Sequence, residues 1–157
     1  MNIRIVPRLL ILLSCLLAAS HAAAALSVTH AWVRATVPGQ SVAAAYLRLR
    51  SDKPVTVVDV RTSVARHAEV HEMTMQAGVM KMRRIDRLAV PAGQPLDLKP
   101  GGYHLMLIDV THPLKDDERV PLTVVVEGSD GKREEARVEA EVRSAAPEKQ
   151  PAHDHHH

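Results

Sequence analysis

From residue 26 onward, apolar and polar residues alternate with a period of two rather than 3.6, the mark of strands with one buried face. Seven stretches carry this pattern: 27–34, 42–50, 55–61, 69–75, 79–85, 104–110 and 122–127, all short and rich in Val, Leu, Met or Thr. Turn-forming residues separate most of them, among them Pro38-Gly39, Ala77-Gly78, Pro91-Ala92-Gly93, Pro100-Gly101-Gly102 and Ser129-Asp130-Gly131. Residues 136–142 supply an eighth strand by pairing back across Asp130-Gly131, although their Glu and Ala content also permits a helix. About eight short strands at this spacing predict an all-β domain, an antiparallel sandwich or Greek-key barrel. With one Trp, two Tyr and no Phe in the chain, its core must be aliphatic.

The flanks read differently. Residues 1–25 have the pattern of a secretory signal: Arg4 and Arg8, an apolar run over 9–19, and small residues at 22–25. That run is too short to span a bilayer, so no stable membrane insertion is expected after cleavage. Leu12-Leu13-Ser14-Cys15 loosely resembles a lipoprotein box, but the apolar run continues past Cys15 to the alanine-rich site, which favours ordinary export over a lipid anchor. Residues 26–143 then form one domain, and 144–157 a tail of disorder-type composition ending in HDHHH.

Removing the signal changes the charge and the redox chemistry. Of 20 basic side chains two, Arg4 and Arg8, leave with it, so 18 remain against 18 acidic ones. A formally neutral domain gives no warrant for nucleic-acid binding or a polybasic membrane patch. The one cysteine, Cys15, leaves too. Without a thiol there is no disulfide, zinc-thiolate site, cysteine nucleophile or blue-copper centre.

What chemistry remains is concentrated in His and Met. Met73, Met75, Met80 and Met82 fall within ten residues, and a fifth, Met106, follows His104 by two. Methionine clusters ordinarily fill cores, but here they alternate with polar residues and lie near a histidine at strand spacing. On a strand, His71, Met73 and Met75 share one face. If Ala77-Gly78 is a two-residue hairpin loop, paired residue numbers sum to 155, setting Met73 opposite Met82, Met75 opposite Met80, and His71 diagonal to Met82. A three-residue loop would send Met82 to the other face unless a bulge restored it. His104 and Met106 also point the same way. Taken singly, each histidine is more simply a strand or turn residue. Together, two imidazoles and two thioethers make a soft, neutral donor set suited to Cu(I) rather than zinc, calcium or magnesium.

The spacing His71, ten residues, Met82, twenty-one residues, His104, one residue, Met106 resembles the signature of the periplasmic copper chaperones called PCu(A)C. The strings HEMTMQAGVMKMR and LKPGGYHLMLIDV resemble that family too, and the likeness runs from about Leu26 to Val142. The resemblance implies a cupredoxin-like β-barrel with His71, Met82, His104 and Met106 as Cu(I) ligands. It also implies a periplasmic, non-enzymatic role: delivery toward the dinuclear copper centre in the copper-bearing subunit of cytochrome c oxidase, directly or with a thioredoxin-like copper chaperone.

Met73, Met75 and Met80 are left as apolar lining or a secondary entry path. Lys81, Arg83 and Arg84 read as a solvated strand face or a contact for an acidic partner. His153, His155, His156 and His157 suit a looser Cu(II) site. His67 and His71 lie in HAEVHEM, which is no HExxH helix, and His30 and His112 have no partner in sequence. Three other readings stay open: a small copper oxidoreductase, a periplasmic copper-resistance or storage protein, and a metal-free secreted domain holding an apolar peptide on its methionine face.

Overall fold

The computed structural model describes residues 26–144. These residues form ten strands and no helix: β1 Ser27–Arg34, β2 Val42–Arg50, β3 Val55–Thr62, β4 Ala65–Gln76, β5 Val79–Ile85, β6 Leu88–Val90, β7 Leu96–Leu98, β8 Tyr103–Val110, β9 Arg119–Gly128 and β10 Arg133–Arg143. One open sheet runs β5-β4-β8-β2-β1-β10-β9-β3-β6, with β7 paired to β2 beyond the end of β8. The fold is all-β as expected, with two strands more than eight. The additions, β6 and β7, have three residues each, too few for a period of two to show. Residues 136–142 are strand, because β10 pairs with β9 over Arg133↔Glu127 to Glu141↔Arg119 and that ladder outweighs local helix propensity.

Sequence-distant strands become neighbours. β8 lies between β2 and β4, and β1 pairs parallel with β10 while the other ladders are antiparallel. Alternate residues of β2, β3, β8 and β9 point inward into one aliphatic core, including Leu47, Val57, Leu105, Leu107, Leu122 and Val124. On β8 the inward pair Leu105 and Leu107 is sealed, so His104 and Met106 face the other way by strand alternation.

Two local devices fix the face that carries them. Ala77 and Gly78 both have positive φ, 50° and 77°, the backbone of a type I′ two-residue turn whose twist matches antiparallel strands. The β4–β5 ladder accordingly pairs His71↔Arg84, Met73↔Met82 and Met75↔Met80, each pair summing to 155. On its other side β4 meets β8 with His71↔His104 and Glu69↔Met106. β5 is a sheet edge, and its Lys81, Arg83 and Arg84 discourage a foreign strand from pairing there.

Candidate metal centre

Three strands bring the chemistry together. In paired registers, residues opposite one another share a face, so β5, β4 and β8 present Met82, Met73 and His71, and His104 and Met106 on one side of the sheet. His71 and His104 sit directly opposite, with ring centroids 6.0 Å apart. Met82, diagonal to His71, reaches across β4 so that its Sδ lies 3.3 Å from His104 Nε2. Met106 sits one row further along β8, opposite Glu69 on one side and Ala44 on the other. His104 is 5% exposed and Met82 50%, so the cluster has a buried floor and an open mouth.

Hydrogen bonds assign the protons on both rings. His71 Nε2–H donates to the Glu69 carboxylate at 2.8 Å, and a carboxylate only accepts. In neutral imidazole the lone pair is then on Nδ1, which is buried with no hydrogen-bond partner. His104 Nδ1–H donates to the Gly102 carbonyl at 3.0 Å, leaving the Nε2 lone pair against the sulfur of Met82. Neither that nitrogen nor a thioether sulfur carries a proton to share. Each ring thus commits its N–H to a fixed acceptor and keeps a bare lone pair on its other nitrogen, an arrangement common among metal-binding histidines. The hydrogen bond from His71 holds the Glu69 carboxyl below its ordinary pKa, and the charge of Arg84 at 2.9 Å adds to this. Among the described residues no three His, Cys, Asp or Glu side chains gather into a metal-binding group. The soft donor that lies against this histidine pair is the Met82 sulfur.

Sequence patterning assigns no site role to Glu69 or Gly102, and takes Arg84 only as part of a basic run that is solvated or meets an acidic partner. Glu69 was within reach, since it is two residues before His71 and therefore on the same face. Gly102 was not, because its role comes from a carbonyl. The basic run splits: Arg83 pairs with Glu72 on one face and Arg84 with Glu69 on the other. His112 finds Glu118 at 2.6 Å, and His30 lies at an irregular step in β1 with φ 53°. His67 is on a strand, two rows from His71. His153, His155, His156 and His157 lie outside the described residues, as do residues 1–25 with Cys15.

The domain is all-β and carries a cluster of soft, neutral donors, imidazole and thioether, on one sheet face. The model of the LpqE-like family, described as "Putative lipoprotein LpqE-like", matches residues 26–142. The chain belongs to this family, the PCu(A)C family. "Putative lipoprotein Lxx21020" of Leifsonia xyli subsp. xyli is 30% identical over 98 residues, 62% of this chain. The match spans only 59% of that relative's length. Among solved structures, Cu(I)-DR1885 from Deinococcus radiodurans is 31% identical with a TM-score of 0.55, covering 80% of this chain and 84% of that one. The copper-bound PCuAC domain of PmoF2, at 24% identity and a TM-score of 0.61, covers 78% of this chain and 96% of that one and shares the fold.

Proposed function

We propose that this chain is a copper carrier of the cell envelope that holds Cu(I) between His71, Met82, His104 and Met106. The observation that carries the reading is the pair of uncommitted lone pairs: His71 Nδ1, buried and without a partner, and His104 Nε2, 3.3 Å from the Met82 sulfur. A bare imidazole nitrogen and a thioether sulfur at that spacing, with no proton between them, suit two donors on one ion. Thioethers select the cuprous ion and, unlike thiolates, bring no charge or proton to displace on release. Family membership and the copper-bound relatives support copper as the cargo.

The signal-like residues 1–25 and the lipoprotein names of the family and its relative support a secreted or envelope location, with the periplasm as the finer reading. Delivery toward the copper-bearing subunit of cytochrome c oxidase, directly or through a thioredoxin-like copper chaperone, is the route that family membership suggests. The four tail histidines would hold Cu(II) as a second, looser site.

The test is an anaerobic Cu(I) titration against a chromophoric chelator, using protein with those four histidines replaced by alanine. X-ray absorption is then read on the loaded form. One tightly held equivalent with mixed sulfur and nitrogen scattering is expected. No competitive binding, or a nitrogen and oxygen shell alone, would overturn the reading.

A further inference from the structure

The hairpin that carries Met82 continues past it, and its outer end is unusual. Met75, Met80 and Met82 are 63%, 46% and 50% exposed. A buried methionine is worth about 1.5–3 kcal/mol relative to an exposed one, and these side chains forgo much of that. They fill no core gap. By strand alternation Glu72, Thr74, Gln76, Lys81 and Arg83 all point to the opposite face. Between the turn and His71, the near face therefore holds two cross-strand rows and nothing else: Met75 with Met80, then Met73 with Met82. Paired side chains have Cβ atoms about 4.5–5.5 Å apart, close enough for two sulfurs to reach one ion.

We propose that Met75 and Met80, backed by Met73, form a second and weaker site for a soft monovalent cation, an outer landing for Cu(I) moving to and from the histidines. This rests on the copper reading above. The outer row offers thioethers alone, whereas the inner cluster adds two oriented imidazoles, so affinity rises inward. Passage is a ligand exchange: one copper–sulfur bond forms as another breaks, the ion stays cuprous, and no proton moves because thioethers do not titrate at working pH. The left-handed Ala77-Gly78 turn is what makes the path, because a one-residue slip would turn Met80 and Met82 to the far side.

The experiment uses the full chain with 13C-labelled methionine methyl groups, titrated with Ag(I) as a redox-inert stand-in and then anaerobically with Cu(I). Met82 and Met106 should shift with the first equivalent at the histidines, and Met75 and Met80 only with a further one. Met75→Leu/Met80→Leu, close in volume, should lose the later phase, keep the first, and slow the transfer of bound Cu(I) to a chelator. If the Met75 and Met80 methyls stay still while Met82 and Met106 shift, the outer site is refuted and the central one stands. If no methyl moves, the copper reading fails and this inference with it. If the double Leu variant retains both phases and its transfer rate, the outer pair is not the second site.

Discussion

Replacing Glu69 with alanine tests whether the histidines are preset for metal. Glu69 accepts the His71 Nε2–H at 2.8 Å and is not itself one of the proposed ligands. Removing it frees the proton to sit on either ring nitrogen and lets the ring turn. Loss of such an outer partner typically weakens metal binding about 10–100-fold, or about 1.4–2.7 kcal/mol. The cost to the fold should be that of one hydrogen bond to a charged acceptor, about 1.5–3 kcal/mol, because the two side chains are only 14% and 21% exposed and a neutral imidazole makes no ion pair with the carboxylate. Glu69→Gln, which keeps an acceptor oxygen but loses the charge, should fall between. The assay is anaerobic chelator competition on the parent, Glu69→Ala, Glu69→Gln and His71→Ala, with thermal melts of each metal-free protein. Glu69→Ala binding Cu(I) indistinguishably from the parent, while His71→Ala is impaired, would refute the assigned tautomer. A collapse of the metal-free melt would show that Glu69 is structural.

Four further outcomes are expected. Ala77→Asn, which accepts the left-handed backbone and creates the Asn-Gly pair preferred in type I′ turns, should stabilise the protein by about 1 kcal/mol in chemical denaturation. Leu107→Ala, at a fully buried site, should cost about 2–5 kcal/mol. Met82→Ala, half exposed, should leave the metal-free melt nearly unchanged while Cu(I) competition weakens. Glu118 is held below its ordinary value of 4.5, first by the hydrogen bond from His112 and also by the Lys115 N–H. Because its folded pKa is the lower one, its contribution is complete above 4.5 and fades as the pH falls through the folded value. The stability gap between parent and Glu118→Gln should therefore shrink on acidification, measured by denaturation at neutral and strongly acidic pH.

Much of the candidate centre was legible because it depends on local rules. The Ala77-Gly78 turn and the period of two together placed Met73, Met75, Met80 and Met82 on the His71 face, in the observed register. The pairing of His71 with His104 was beyond such rules. It depends on β4 and β8 lying side by side across 33 residues of chain, and no turn dictates that. β4 also begins at Ala65, earlier than the pattern suggested, because its first turns mix Arg, His and Glu on a half-exposed strand. β6 and β7 were hidden by brevity. The Gly102 carbonyl illustrates the limit: side-chain patterns do not show which backbone groups hold a ring in place.

The place of β5 at the sheet margin has a dynamic consequence. It is bonded along one side only, through the ladder to β4, and six of its seven residues are exposed. Segments of that kind open by local fraying at a free energy well below global unfolding, so its amides should exchange with solvent before those of β8. Fraying carries Met82 away while His71 and His104 stay anchored on interior strands. A guest ion held in the proposed way would be left half-uncovered without disturbing the aliphatic interior, and the timing of its departure would follow the breathing of one hairpin.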